Sequence, residues 1–207
     1  SSIGGPLTVK KAKIEGINEA YSVSGRPADA VRFALSLQGN DKSFDLVVSG
    51  INRGANVGNI SHLSGTVGAA MEAVFQGVPA IAVSQEIRGV DTYKSAQFIT
   101  QLVKHYMTDP IQEGTIISVN IPAGEHKGVA IRPMGDSYLQ TSYYELVRES
   151  NNEKVYEREI ALQNSENSET DTFAYQQGFI TLTPLKFDWT SHESFEQIET
   201  WDLRLVQ

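Results

Sequence analysis

Short apolar runs alternate along this chain with amphipathic segments, and that alternation limits the folds open to it. Residues 44–49 (Phe-Asp-Leu-Val-Val-Ser), 80–83 (Ala-Ile-Ala-Val), 116–119 (Ile-Ile-Ser-Val) and 129–131 (Val-Ala-Ile) are compact runs of the buried-strand type. Helical patterns precede the first of these runs and separate the next ones. Pro27 suits a helix N1 position, Ala30, Val31, Ala34, Leu35 and Leu37 follow at helical spacing, and Gly39 is a stop. Residues 66–76 are rich in small side chains and read as a helix ending at Gly77. Asp91 is placed to cap a longer helix with Ala96, Ile99, Leu102, Val103 and Tyr106 on one face. Strands and helices at this spacing predict βαβ units and a mostly parallel sheet, an α/β fold. Outside the series, residues 7–14 read as an exposed or edge strand and 20–23 as a short strand. Residues 180–183 return to a strand, and 192–203 read as a closing helix.

Composition narrows the function classes. The chain has 207 residues, a net charge of −8 and 40% hydrophobic residues. One core, or a domain with an appendage, is expected at this size. There are no cysteines, which excludes a disulfide framework, a thiolate zinc site and a cysteine nucleophile. The same absence fits a reducing, cytoplasmic setting. No apolar stretch approaches the roughly 18 residues of a membrane span, so no membrane partner is expected. The acidic balance argues against a protein that coats nucleic-acid polymers, which needs clustered Lys and Arg. Small phosphorylated ligands remain compatible, because a local site can oppose the global charge. The opening Ser1-Ser2-Ile3-Gly4-Gly5-Pro6 reads like the middle of a loop, and further residues are expected upstream.

The pattern changes near Asp136. Two β-like stretches, around 143–147 and 154–160, flank an Asn151-Asn152 turn candidate. A Ser/Asn/Glu-rich loop follows. This divides the chain into an α/β core over 1–135, an inserted hairpin arm and loop over 136–168, and a return to the core over 169–207. Tyr138, Tyr143, Tyr144 and Tyr156 give the arm the residue type enriched at interfaces.

Two stretches could carry chemistry. In the first, the apolar run ending at Ser49 leads straight into Gly50-Ile51-Asn52-Arg53-Gly54-Ala55-Asn56-Val57-Gly58. Ligands of open α/β sheets bind at strand carboxyl ends, and glycines let backbone N–H groups approach them. Asn52 offers a neutral oxygen to a hard cation or an amide to a phosphate. The same composition also fits a plain turn in which Asn and Gly only satisfy φ. The second stretch is Ser64-Gly65-Thr66, at or just before a helix N-terminus, where orphan N–H groups and the macrodipole favour an anion. An ordinary Ser/Thr cap fits it too. His62 lies in the intervening loop, while His105, His126 and His192 show no metal-ligand spacing and read as surface or core residues. Asp29 reads as an acid complementing a helix dipole, and Asp171 as a turn residue.

In this order, these motifs resemble the SurE family, stationary-phase survival protein E, a group of metal-dependent nucleotidases. The similar stretches include residues 1–9, Gly25-Arg26-Pro27-Ala28-Asp29, the 48–58 loop, Ser64-Gly65-Thr66-Val67-Gly68, Val119-Asn120-Ile121-Pro122 and residues 178–185. The resemblance implies a Rossmann-like α/β/α sandwich with a protruding hairpin. It implies hydrolysis of nucleoside 5′- or 3′-monophosphates with a divalent cation, Mg²⁺ or Mn²⁺. It carries metal ligation onto Asn52 and Ser1, catalytic roles onto Ser64, Gly65 and Thr66, and homodimers or homotetramers built partly through the arm. On this reading Asn56, Ser64 and Thr66 contact substrate. Two departures stand out: the family's Asn-Asp-Asp-Gly motif is absent, and Arg26 stands where threonine is usual. The absent acidic ligands lead us to expect an incomplete metal site. They keep a non-catalytic nucleotide- or phosphate-binding module open as the alternative.

Overall fold

A computed structural model describes residues 5–37, 44–136, 139–188 and 190–201. Its centre is a five-stranded sheet of β3 (Val47–Arg53), β4 (Ala80–Gln85), β5 (Thr115–Ile121), β9 (Ile180–Lys186) and β6 (Val129–Ile131), in that spatial order. Every neighbouring pair is parallel except β5 and β9. Outside it, β1 (Val9–Lys11) and β2 (Tyr21–Val23) pair antiparallel as a separate ribbon.

Strand alternation explains the layers. Side chains of β4 point to opposite faces in turn. Ala80 and Ala82 pack with Val67, Ala70 and Ala73 of α2 (Gly65–Phe75), joined by Val31 and Leu35 of α1 (Pro27–Ser36). Ile81 and Val83 pack instead with Ile99 and Tyr106 of α3 (Thr92–Thr108). The result is an α/β/α sandwich. Three alanines of α2 (Ala69, Ala70 and Ala73) are almost completely buried, and their small side chains let this helix lie close to the sheet.

Several sequence expectations are refined. Residues 44–49 are not a buried strand: β3 begins at Val47 and runs through Arg53, so Gly50-Ile51-Asn52 is strand rather than loop. Among the described residues β3 pairs only with β4, which leaves Val48 42% exposed. The apolar run 129–131 is likewise an edge strand, with Val129 and Ile131 facing out. The closing helix is shorter than expected: a 3₁₀ turn at His192–Ser194 precedes α5 (Phe195–Glu199), and neither buries a residue. Gly39 lies outside the described residues. Asp91 caps α3 as expected, accepting from the Tyr93 and Lys94 amides. Asp29 does more than complement a dipole: it is buried, and its Oδ2 accepts from the Arg26 amide at 2.8 Å.

The arm is a hairpin of β7 (Leu139–Ser150) and β8 (Glu153–Leu162), joined at Asn151-Asn152. Among the described residues no helix is long and apolar enough to cross a membrane.

Gly50 shows how tightly β3 meets β4. Its φ is +139°, and a Cβ there would collide with the Val83 carbonyl oxygen. The register between these strands shifts between Ser49 and Asn52. We expect Gly50→Ala to cost at least the roughly 1–3 kcal/mol of an unfavourable backbone region, read as a lower urea midpoint.

A second prediction concerns the α1–α2 contact. The Arg32 guanidinium grips Glu72 through two bonds of 2.8 and 2.9 Å. That pairing holds the Glu72 carboxyl below its ordinary pKa, against an opposing effect of burial. A depressed carboxyl adds stability above the ordinary carboxylate range and loses it as pH falls through the folded-state value. Glu72→Gln should therefore lower the neutral and alkaline side of a stability-versus-pH curve by a constant amount and flatten its acid side, where the parent loses this contribution anyway.

Candidate functional site

The site lies at the carboxyl edge of β3, β4 and β5. Asn52 sits one residue before the end of β3, level with Ser84 of β4. Its Nδ2 donates to the Gly54 carbonyl at 2.9 Å, which orients the amide and leaves Oδ1 without a protein partner among the described residues. That oxygen is the one Asn52 atom suited to a cation.

Beyond Arg53 the chain has no ladder to bond to, so its amides need other acceptors. The Gly54 amide donates to the Gln85 carbonyl at 2.8 Å. The Asn56 amide donates to Asn120 Oδ1 at 2.7 Å, and the Gly58 amide to Asp171 Oδ2 at 3.1 Å. The Asn56 side chain donates to Ser84 Oγ at 2.6 Å, and Ser61 Oγ donates to the Asn56 carbonyl at 2.7 Å. Asn56 is buried and its Nδ2 is committed to this network. The amide nitrogen of Asn56 thus braces the loop from within.

A 3₁₀ helix at Gly58–Leu63 leads from there into α2. Ser64 is the N-cap: its Oγ accepts from the Val67 amide at 3.2 Å, and its carbonyl from the Gly68 amide at 2.9 Å. The Gly65 and Thr66 amides have no acceptor among the described residues, and neither does the Thr66 hydroxyl. Gly65 is exposed, and Ser64 and Thr66 are half-buried. Two free N–H groups, two hydroxyls and a positive helix end thus fall within three consecutive residues of one helix start, a composition that suits an oxyanion. A cleft of about 700 Å³ opens beside it along α2, past Ser61, His62 and Met71 to Phe187.

The structure brings Asn52, Ser64, Gly65 and Thr66 to one edge through β3 and α2, which pack together. Ser1 lies outside the described residues. His62 is exposed in the 3₁₀ helix, and His105, His126 and His192 are scattered and exposed. No cluster of three His, Asp or Glu suited to a metal occurs among the described residues.

Sequence reasoning missed two residues here. Asn120 is wholly buried in β5, and Asp171 is 1% exposed at the start of α4 (Asp171–Gln176). The expectation that Asp171 is a turn residue is corrected: its carboxylate is an internal acceptor for three segments. Asn120 did leave a signal, since an amide amid Ile-Ser-Val-Asn-Ile needs a buried partner.

The comparisons fit this geometry. The family model described as survival protein SurE matches residues 1–141. The chain belongs to the SurE family. It is 34% identical over 206 residues to a Clostridium botulinum (strain Eklund 17B / Type B) protein named 5′-nucleotidase SurE, covering 96% of this chain and 80% of that one. A protein of the same name from Thermoanaerobacter sp. (strain X514) is 32% identical, with 97% and 80% covered. The crystal structure of the SurE protein from Aquifex aeolicus superposes with a TM-score of 0.76 at 29% identity, covering 96% of this chain and 80% of that one. This SurE-family chain carries its Gly50-Ile51-Asn52 triplet and its Ser64-Gly65-Thr66 helix start at one sheet edge.

The two hydroxyls of this helix start should separate in their effects. Ser64→Ala removes the cap and should cost about 1 kcal/mol. Thr66→Val removes a hydroxyl with no partner among the described residues and should leave the melting temperature within error. Calorimetry on both variants checks this.

Proposed function

We propose that this chain is a 5′/3′-nucleotidase, a phosphomonoesterase that transfers the phosphoryl group of a nucleoside monophosphate to water and releases nucleoside and phosphate. The observation that carries the reading is the pair of free amides at Gly65 and Thr66, in a chain whose relatives bear the name 5′-nucleotidase SurE. The Gly65 and Thr66 amides and the Ser64 and Thr66 hydroxyls hold the nonbridging phosphate oxygens. Because these donors are fixed before substrate arrives, they stabilise charge in the transition state without reorganising. Asn56, through Ser84 and Asn120, keeps the preceding loop in place.

A divalent cation, Mg²⁺ or Mn²⁺, enters the proposal through Asn52 alone. Its Oδ1 is the right donor for a hard ion, but such ions bind through one or two carboxylates as well. The described residues supply no such cluster. They therefore do not complete a metal site, and no step is assigned through the ion. When bound, a cation supplies Lewis-acid charge to a phosphate oxygen.

The arm supports self-association. Leu146 lies opposite Tyr156, with Tyr144 two residues along on the same face, and all three are exposed. A lone two-stranded ribbon is marginal in water, so an apolar face of this kind favours a covering partner. A second copy of the chain is the partner proposed, as a homodimer or homotetramer. Tyr138 lies outside the described residues. The cysteine-free composition supports a cytoplasmic setting.

Phosphate release from AMP and GMP, with Mg²⁺ or Mn²⁺ and with chelator, tests the activity. We expect cation-dependent turnover, and Thr66→Val should lower kcat/KM by about tenfold, the effect of losing one hydrogen bond to a charged group. Saturable nucleotide binding with no release under any of these conditions would favour the non-catalytic module instead. Light scattering on a chain with the arm cut to a short turn should show a smaller assembly; an unchanged mass counts against the arm.

A further inference from the structure

Asp171 is a buried acid that the proposed chemistry does not use. Its Oδ1 accepts from the Gly135 amide at 2.8 Å. Its Oδ2 accepts from the Gly58 amide at 3.1 Å and from the Thr183 hydroxyl of β9 at 3.3 Å. Its own amide donates to the Pro133 carbonyl at 2.9 Å. Next to it, the Thr172 hydroxyl donates to the Asp136 carbonyl at 2.7 Å. Among the described residues no cation pairs with this carboxylate. Two backbone amides, the Thr183 hydroxyl and the Thr172 hydroxyl, which also reaches Oδ1 at 3.3 Å, offset its burial, as a buried charge requires.

The partners give the carboxylate a direction of action. Gly58 is the first residue of the 3₁₀ helix that ends at Leu63, with Ser64 as the residue that caps it and opens α2. Its φ is +61°, and a Cβ there would collide with the Asp136 carbonyl oxygen. The loop is therefore pressed against the 133–136 segment, which is tied to the sheet where the Arg132 amide meets the Leu182 carbonyl. Of the three acceptors that hold the loop at Gly54, Asn56 and Gly58, only Asp171 is charged. Hydrogen bonds to an ionised acceptor are about twice as strong as neutral ones.

We infer that Asp171 is a positioning residue for the oxyanion site: by clamping Gly58 to Gly135 and Thr183 it sets where the Ser64–Thr66 helix start stands. The inference rests on the nucleotidase reading for its kinetic consequences, not for its structural link. An isosteric amide keeps the volume but aims an N–H₂ at a donor it cannot accept from.

The test compares Asp171→Asn with Ile99→Ala, a cavity on the opposite face of the sheet that lowers stability without touching the loop. Binding of inorganic phosphate and kcat and KM for AMP are measured on both. Asp171→Asn should weaken phosphate binding and kcat/KM by at least about tenfold, with Ile99→Ala within about twofold of the parent. A folded Asp171→Asn with parental phosphate affinity and kcat/KM overturns the inference. So does Ile99→Ala losing phosphate affinity in step with its stability, because a general loss of stability would then explain both. Should Asp171→Asn fail to fold, Thr183→Val removes one donor and keeps both amides. It should weaken phosphate binding by about threefold, and parental affinity overturns the assignment. Should the parent chain neither bind phosphate nor hydrolyse nucleotides, the nucleotidase reading fails. Amide exchange then decides the link by itself, in whichever of these two variants folds: faster exchange confined to residues 58–64 supports it, and unchanged exchange overturns it.

Discussion

Three backbone amides suspend the loop after β3. Gly54, Asn56 and Gly58 donate to the Gln85 carbonyl, the Asn120 side chain and the Asp171 carboxylate. A segment beyond the end of its strand has lost its ladder partners, and its amides cannot be buried unpaired. The three acceptors come from β4, β5 and α4, so the loop reaches this shape only once the sheet is assembled. The order of the α2 N-terminus follows, because a short 3₁₀ helix connects Gly58 to Ser64 without slack.

Placement of the site at this sheet edge follows from the layer packing. Parallel strands joined through helices put every helix start at the carboxyl ends of the strands. Small side chains at Ala69, Ala70 and Ala73 let α2 approach Ala80 and Ala82 closely. The opposite layer has a different character, with large side chains of α3 filling against Ile81, Val83, Val119 and Ile121. The thin layer carries the polar chemistry, and the thick layer carries most of the larger apolar side chains.

Much of this was legible in the residues. The runs at 80–83 and 116–119 gave central strands, because both neighbours and both faces are apolar there. The runs at 44–49 and 129–131 look the same in sequence but lead into strands with one neighbour each among the described residues, since neighbour count is not a property of a run. The Ser-Gly-Thr helix start was visible because capping is local. Asp171 was not, since its donors at Gly58, Gly135 and Thr183 are far from it along the chain.

Local chemistry therefore settled the element types, the helix caps, the Asn151-Asn152 turn and the candidate residues Asn52, Ser64 and Thr66, each through contacts within a few residues. Tertiary structure decided the order of the described strands in the sheet, that Asn56 and Asn120 face each other, and that a lone aspartate anchors the loop. Those outcomes depend on groups brought together by long loop closures, and a buried acceptor shows its purpose only when its donors have arrived.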